Sequence, residues 1–418
     1  MKITFVTLGC KLNQAETELL AGRFTEAGHE YVDSVEDADV YILNTCTVTA
    51  TADAKSRHLL RQAHRRNPGA VLVAAGCYAE RDAGTLSRIE GVRLTAGNTE
   101  KLRLPEILAE AGYLTRPETP GRSPEAGIPV SPRTRAFIRI QDGCSNFCSY
   151  CIVPFVRGPE RSLPAEQVVL DIKRRVSGGV KEVVLTGTEI GSYYDSGLDL
   201  EGLLEKVLAE TDIRRLRISS LQPDEITPSL LNLWQDPRMC PHFHLSLQSG
   251  SDSVLRRMNR CYTSAGYRAA VDLIRSVVPG VAITTDIIVG FPGETDDEYR
   301  ETVELCRETG FARLHVFPYS QRPGTAAADM PGQVPDTVRR LRNQYLGVIA
   351  RESAESYHRG FTGITVDVLW EQQSRGAWSG HTGNYITVYT RSDEDLSNTI
   401  TSVRLMKLYR DGMWANIE

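Results

Sequence analysis

The chain has 418 residues and a formal net charge of −5, with 41% hydrophobic and 24% charged residues. A chain of this length exceeds one ordinary hydrophobic core and predicts two or three domains, and the composition excludes a disordered protein. The negative net charge excludes a general attraction to nucleic acid, so any basic RNA-binding face has to be local.

The chain contains nine cysteines, which lie far apart outside one compact group. This distribution disfavours a secreted disulfide framework and favours reduced, metal-binding thiols. The N-terminus lacks the features of a secretion signal, and no stretch approaches the roughly twenty apolar residues of a membrane helix. We therefore expect a cytoplasmic protein that does not contact a membrane.

Residues 1–113 alternate short apolar, β-branched runs with longer amphipathic segments. This alternation predicts an N-terminal α/β domain in which helices cover a parallel sheet. The predicted strands are residues 3–8, 40–43 and 71–75, and the predicted helices are residues 15–28, 51–66 and 80–90.

Three cysteines follow the three predicted strands of this domain. Cys10, Cys46 and Cys77 each lie within a few residues of a strand's carboxyl end. Because these ends share one edge of a parallel sheet, where ligands bind, we expect the three thiols to meet in space. The alternative is three ordinary half-buried cysteines.

Residues 114–134 contain five prolines and no apolar periodicity. This segment is predicted to be a linker.

Residues 135–355 are predicted to form a second domain with six strand-like runs separated by helical ones. Six βα units with right-handed crossovers predict a partial (β/α)6 barrel, whose chemistry gathers at the carboxyl ends of the strands. The predicted strands are residues 137–140, 180–186, 216–220, 243–247, 282–289 and 313–317.

A compact cysteine motif follows the first strand of the barrel. Cys144, Cys148 and Cys151 have the spacing C-x3-C-x2-C, which suits one small inorganic centre. Four thiolates are usual for a four-iron cluster, so three leave one iron open to a ligand. A zinc knuckle or three buried thiols are the alternatives.

The spacing of this motif resembles the signature of the radical S-adenosylmethionine (SAM) superfamily, which has the same barrel architecture. The resemblance implies that the three cysteines hold a [4Fe-4S] cluster whose free iron binds the amino and carboxylate groups of SAM. It also implies SAM contacts at the strand ends and in the cysteine loop. The candidate residues are Tyr150, Gly187, Thr188, Glu189, Ser219, Ser220, Gln248, Val289 and Gly290.

Residues 356–418 change to short alternating strands, predicted at 364–370, 378–389 and 399–408, which indicate a small antiparallel β-barrel. Residues 380–385 resemble the TRAM module, an RNA-binding barrel. The segment has six Lys or Arg against seven Asp or Glu, so RNA binding would rely on stacking and hydrogen bonding. The candidate contacts are His381, Asn384 and Tyr385.

The segments around the first three cysteines, residues 7–14, 44–49 and 75–79, resemble the amino-terminal domain of the methylthiotransferases. The resemblance implies that Cys10, Cys46 and Cys77 hold an auxiliary [4Fe-4S] cluster. Residues 9–14, Gly-Cys-Lys-Leu-Asn-Gln, are most similar to the subgroup that acts on threonylcarbamoyladenosine in tRNA.

Basic residues near both cysteine groups are candidates for substrate contact. Arg157 and Arg161 follow the barrel motif and could meet a SAM carboxylate or tRNA phosphates, or pair with surface acids. Arg57 and Arg61 lie on a basic helix beside Cys46. A solvated helix face is the alternative reading of that segment.

The resemblance implies an enzyme that replaces the C2–H of threonylcarbamoyladenosine 37, in the tRNA anticodon loop, by S-CH3. It also implies an external electron donor and a sulfur source. The alternatives within the family are methylthiolation of isopentenyladenosine in tRNA or of a ribosomal protein aspartate. The alternative of another class is a non-catalytic iron–sulfur protein that binds RNA.

Overall fold

The computed structural model describes residues 1–114 and 134–418. The predicted linker, apart from its two terminal residues, lies outside these ranges. None of the described helices is long and apolar enough to span a lipid bilayer.

Within residues 1–114, five parallel strands form a sheet in the order β2-β1-β3-β4-β5. The central strand β3 is buried along its whole length, because apolar clusters cover the sheet on both faces. The strands are β1 (Lys2–Thr7), β2 (Glu30–Tyr31), β3 (Val40–Thr45), β4 (Val71–Gly76) and β5 (Val92–Ala96). The helices are α1 (Lys11–Glu26), α2 (Ala50–Arg66), α3 (Cys77–Ser87) and α4 (Leu104–Glu110).

Residues 134–359 form the partial barrel. Its parallel strands lie in two adjoining sheets, β12-β9-β6 and β13-β14-β15-β16, around one large apolar core. The short pair β7 and β8 closes the base of the loop that carries the cysteine motif. The strands are β6 (Arg135–Arg139), β7 (Gln141–Asp142), β8 (Arg161–Ser162), β9 (Glu182–Thr186), β10 (Tyr194–Asp195), β11 (Leu198–Asp199), β12 (Arg215–Ile218), β13 (Ser220–Leu221), β14 (His242–Leu245), β15 (Ala282–Val289) and β16 (Arg313–Pro318).

Helices separate the barrel strands and cover their outer surface. The longest, α12, packs against β16 and leads into the C-terminal unit. The helices are α5 (Val153–Arg157), α6 (Ala165–Ser177), α7 (Leu200–Glu210), α8 (Pro228–Asn232), α9 (Asp252–Arg257), α10 (Ser264–Val277), α11 (Asp296–Thr309) and α12 (Asp336–Arg359).

Residues 360–418 form a closed five-stranded barrel in the order β17-β18-β19-β21-β20. It is fixed to the larger barrel by Arg215, which donates to the carbonyl oxygens of His381 (2.8 Å) and Asp367 (2.7 Å). The strands are β17 (Thr365–Ser374), β18 (Ala377–Thr382), β19 (Thr387–Thr390), β20 (Ile400–Tyr409) and β21 (Gly412–Ile417).

The predicted fold class is confirmed: a parallel-sheet α/β unit, a partial (β/α)6 barrel and a small β-barrel consistent with a TRAM module. The prediction of one strand over residues 378–389 is wrong. A turn at residues 383–386 divides it into β18 and β19, and Tyr385 takes a left-handed backbone conformation there (φ 67°).

Candidate active site

The structure brings Cys10, Cys46 and Cys77 together at the carboxyl edge of the N-terminal sheet. Cys10 directly precedes α1, Cys46 follows β3, and Cys77 is the first residue of α3. Each thiol lies within electrostatic range of the other two. A Cβ atom on Gly9 (φ 106°) would lie 2.8 Å from the Cβ of Cys46, so only glycine lets these loops approach so closely.

Cys144, Cys148 and Cys151 form a second group in the loop after β7. These three thiols also lie within electrostatic range of one another. Gly143 (φ 79°) makes the tight turn at the start of the loop, where a Cβ would collide with the carbonyl oxygen of Pro159. Burial raises the pKa of Cys144 to about 11 and that of Cys151 to about 12.

The two cysteine groups meet at one junction. Cys77 packs against Ile152, which directly follows Cys151, and against Val156 in α5. Asn98 donates to the carbonyl oxygen of Val156 (2.6 Å) and to the Sγ of Cys77 (3.5 Å). The N-terminal sheet edge and the barrel's cysteine loop therefore form one continuous site.

Arg157 joins the two units at this junction. Its guanidinium donates to Asn13 Oδ1 (2.6 Å), Glu16 Oε1 (3.0 Å) and Asp142 Oδ1 (2.8 Å). Burial opposes the ionisation of Glu16, but Lys101 and Arg157 outweigh it and hold its pKa at about 2. Arg157 is buried and its charge is paired with these carboxylates, so it does not lie on an exposed face.

The residues present fit thiolate-bound clusters. Burial raises the pKa of Cys46 to about 12, so a positively charged partner such as iron is needed to hold that side chain as a thiolate. Arg260 donates to the Sγ of Cys148 (3.2 Å), and its buried Nη2 has no partner among the described residues. Among those residues, no three His, Cys, Asp or Glu side chains are grouped to bind a single metal ion.

The predicted SAM contacts all lie near the carboxyl ends of barrel strands or in the cysteine loop. Glu189 accepts from Asn146 (3.1 Å) and Gln222 (2.7 Å), so it lies beside that loop. Burial raises the pKa of Glu189, and burial together with Glu189 raises the pKa of Glu225 to about 9. The two carboxyl groups therefore share one proton at neutral pH.

The other predicted SAM residues are held by backbone and packing contacts. Tyr150 packs beside Phe291 and Tyr319 under the cysteine loop. Gln248, in a left-handed conformation (φ 65°), bonds through its backbone to β15. The remaining predicted residues lie at the ends of β9, β12 and β15, and they are Gly187, Thr188, Ser219, Ser220, Val289 and Gly290.

A polar chamber inside the barrel was missed from the sequence. His244, Asp286 and His315 point into it from three adjacent strands: His244 Nε2 lies 3.4 Å from Asp286 Oδ2, and the two histidine rings are 6.4 Å apart. The signal in the sequence was the alternation of polar and apolar residues in β14, β15 and β16. Lys11 also reaches this chamber, where burial, Arg217 and Arg135 lower its pKa to about 8.

The predicted RNA contacts fall into two groups. Arg57, Arg61 and Arg161 lie near the surface, and Arg57 donates to the hydroxyl of Tyr78 (2.7 Å). The C-terminal candidates lie at the interface between the two barrels. His381 Nδ1 lies 2.9 Å from Glu371 Oε1, Asn384 donates to the carbonyl oxygen of Gly280 (3.1 Å), and the guanidinium of Arg217 lies 3.8 Å from the Tyr385 ring centre.

The chain matches two family profiles. The profile described as "Radical SAM superfamily" matches residues 138–306, and the one described as "Uncharacterized protein family UPF0004" matches residues 2–97. The two profiles thus cover the cysteine loop and the N-terminal sheet, respectively.

Two kinds of curated relative are similar over nearly the whole chain. "Threonylcarbamoyladenosine tRNA methylthiotransferase MtaB" of Bacillus subtilis is 36% identical, over 99% of this chain and 96% of that protein. The MtaB of Aquifex aeolicus is 37% identical, over 93% and 96%. "tRNA-2-methylthio-N(6)-dimethylallyladenosine synthase" of Moorella thermoacetica is 35% identical, over 96% and 95%.

Among solved structures, the chain is similar to the radical S-adenosylmethionine methyltransferase TsrM of Kitasatospora setae. The TM-score is 0.59 at 15% identity, covering 78% of this chain and 75% of that one. At this identity the similarity concerns the fold alone.

Proposed function

This chain belongs to the radical SAM methylthiotransferases, and from that membership we propose that it converts N6-threonylcarbamoyladenosine at position 37 of tRNA to its 2-methylthio derivative. The relatives named for this reaction match the chain from end to end. The structural observation that supports the proposal best is the packing of Cys77 against Ile152, beside Cys151, because it brings the two thiol groups to one site.

Family membership implies SAM and one [4Fe-4S] cluster, for which Cys144, Cys148 and Cys151 are the proposed ligands. A second cluster on Cys10, Cys46 and Cys77 is part of the proposal. The C2–H bond of adenosine is unactivated, and SAM with the two clusters would supply the radical chemistry and the sulfur that acid–base groups cannot.

The protein's own residues bind and orient these groups and exclude water. The half-buried Arg260 at Cys148 and the buried Arg157 near Cys77 place one cation beside each set of thiols, which favours negatively charged clusters. Glu189 is the proposed acceptor for the SAM ammonium, since its carboxylate faces the cysteine loop. Phe291 and Tyr319 pack below Tyr150 and form an apolar wall that excludes water from this side of the site.

We place the RNA contacts on exposed basic residues of α2 and of the cysteine loop. Arg61 is exposed on α2, and Arg161 is exposed at the end of the cysteine loop. An adenosine of the anticodon loop can be turned out of its stack to enter the chamber, as single-stranded loops tolerate. An external electron donor, a sulfur source and a cytoplasmic location complete the proposal.

The test is a reaction of the anaerobically reconstituted protein with SAM, dithionite and threonylcarbamoylated tRNA, followed by nucleoside mass spectrometry. We expect a nucleoside heavier by the mass of S-CH3 minus H. A parallel reaction uses tRNA that carries dimethylallyladenosine, because some relatives are named for that product. Product from the second tRNA alone would reassign the substrate.

The non-catalytic alternative is not supported, because these relatives are named as transferases and synthases. Product formation in the same reaction separates an enzyme from a protein that only binds RNA.

A further inference from the structure

A cavity of about 630 Å³ lies where the N-terminal unit, the partial barrel and the C-terminal barrel meet. Lys11, His242, His244 and His315 line its inner part, and Asn384 and Tyr385 close it from the C-terminal barrel. Its size is that of a small-molecule site. Lys11 directly follows Cys10 in the chain.

The cavity lining is cationic. It carries four Lys or Arg side chains and two carboxylates that are exposed at its outer rim, and a third carboxylate, Asp286, adjoins its inner part beside His244. The carboxylates closest to Lys11 in the interior are already engaged. Glu182 accepts from Arg217 Nε (3.0 Å), and Asp286 lies against His244.

Two polar groups of the inner cavity have no ion-pair or charged partner. The ammonium of Lys11 makes no ion pair or hydrogen bond with any side chain in the ranges 1–114 and 134–418, and it lies 5.8 Å from the centre of the Tyr385 ring. The side chain of His242 is only 4% exposed and its Nε2 lies 3.2 Å from Thr284 Oγ1, whereas its Nδ1 is buried without a partner among the same residues. Lys11 is half-buried and His242 is buried, and polar groups left without hydrogen-bond partners inside a protein are costly, so their presence together indicates a ligand.

The ligand that fits is a small group with a carboxylate and further hydrogen-bonding atoms. The threonylcarbamoyl group of the proposed substrate has these features: an α-carboxylate that is ionised at neutral pH, a hydroxyl and a urea-like linkage. A dimethylallyl group has none of them and would leave the ammonium of Lys11 unpaired. A cavity with this lining would favour the adenosine that carries a carboxylate.

We propose that this cavity binds the threonylcarbamoyl group of the substrate nucleoside, with the ammonium of Lys11 paired to its carboxylate and His242 hydrogen-bonded to its polar atoms. This inference rests on the proposed function and adds the residues that select the substrate. Lys11 is assigned as a specificity residue, which binds a part of the substrate that does not react.

The test measures binding by the anaerobically prepared, cluster-loaded protein to three anticodon stem-loop RNAs. They carry threonylcarbamoyladenosine, its methyl ester or unmodified adenosine at the same position, and fluorescence anisotropy gives each Kd. We expect the native protein to bind the free acid about tenfold or more tightly than the ester, because a charge-assisted pair is lost in the ester.

In Lys11→Gln we expect the acid and the ester to bind equally, while the Kd for unmodified RNA stays at the native value. Lys11→Arg keeps the charge and should retain a preference for the acid. Lys173→Gln removes the same charge from the exposed surface of α6 and should retain the native ratio.

Three results overturn the inference: no preference for the acid by the native protein, a native ratio in Lys11→Gln, or an equal loss of all three affinities in that variant. Each of these is independent of turnover. If the native protein prefers the acid but forms no methylthio product, the proposed reaction fails and the binding assignment stands. If product forms without the preference, the inference alone fails.

Discussion

At the scale of single residues, Arg157 shows how a buried charge holds two units together. It is 5% exposed, and its three partners, Asn13, Glu16 and Asp142, come from both sides of the junction. Removing one partner of a buried ion-pair network leaves the other charges uncompensated.

Arg157→Met is therefore expected to lower the free energy of unfolding by about 3–5 kcal/mol. Thermal and urea unfolding of the anaerobically prepared protein measure the change. The control is Arg161→Met, at an exposed position, where we expect a change within about 0.5 kcal/mol. Equal stabilities of the two variants would contradict a clamping role for Arg157.

Glu225 gives a residue-scale prediction of pH dependence. Burial and Glu189 raise its pKa from the ordinary value of 4.5 to about 9. Between these pH values the folded protein keeps a proton that the unfolded chain has released. Glu225 therefore contributes to the free energy of unfolding, and this contribution is complete below pH 4.5. It is lost as the pH rises toward 9, by at most about 1.4 kcal/mol per pH unit.

Glu225→Gln removes this titration, so its stability relative to the native protein should increase from about pH 6 to about pH 8.5. Thermal unfolding midpoints at both pH values check the expectation. Glu205→Gln, at an exposed position on α7, should follow the native protein at both pH values. A constant difference between Glu225→Gln and the native protein would rule out the shared proton.

The sequence was informative about residues whose role depends on local spacing. The C-x3-C-x2-C loop is of that kind. The partners of Arg157 were not predictable, because Glu16 lies 141 residues away in the chain and only the docking of two units brings it close. The same holds for Lys11, whose position in the cavity depends on all three units.

At the scale of elements, α2 presents a basic face that extends from the carboxyl edge of the N-terminal sheet toward its amino edge, where Arg66 pairs with Glu36 (2.6 Å). It begins at Ala50 after Thr49, whose hydroxyl accepts from the backbone N–H of Ala52, and its C-terminal half exposes Arg61 and Arg65. Cationic side chains on a surface helix bind the phosphates of RNA, and this binding releases counterions from the RNA.

We expect Arg61→Gln and Arg65→Gln each to weaken tRNA binding and to reduce the slope of log Kd against log salt by about one or less. Filter binding over a series of salt concentrations gives this slope. Arg174→Gln, on the exposed face of α6, is the matched control and should leave it unchanged. An unchanged slope in both α2 variants would remove this helix from the RNA surface.

Element types were predicted well where periodicity was strong, and boundaries less well. Helix α1 begins at Lys11, four residues before the predicted start, and its N-cap residue Cys10 makes no side-chain capping bond. The turn inside residues 378–389 was missed, although Gly383-Asn384 is a turn signal in the sequence.

At the scale of the whole molecule, the two thiol groups predict two clusters that are lost separately. We expect Cys46→Ala and Cys148→Ala each to keep about half of the native iron and sulfide. Cys46→Ala should still cleave SAM but form no methylthio product, whereas Cys148→Ala should do neither. Anaerobic iron analysis and chromatography of SAM products measure this.

The exposed Cys261 provides the control for these variants, since Cys261→Ala should keep all iron and full activity. Native iron content in Cys46→Ala would contradict a cluster on the N-terminal group.

The sequence predicted which three kinds of unit the chain forms, but not how these units contact one another. Alternation of elements indicated two α/β units and a β-barrel. Nothing local to the chain indicated that Cys77 packs on Ile152 or that the C-terminal barrel closes a cavity with Lys11. Such contacts arise from surfaces that are complementary only after each unit has folded.

The pairing of β1, β3 and β4 has a consequence for maturation. Thr7 lies opposite Asn44, and Asn44 lies opposite Ala75. The three loops that carry the cysteines therefore begin at the same level of the sheet edge. A slip of one residue would move a thiol by about 3.3 Å and turn its strand's side chains to the other face. A misaligned chain would lose the stabilisation that a bound cluster adds to the folded state. Cluster binding would thus stabilise only the chains whose strands are correctly aligned, and misaligned chains would remain open to degradation.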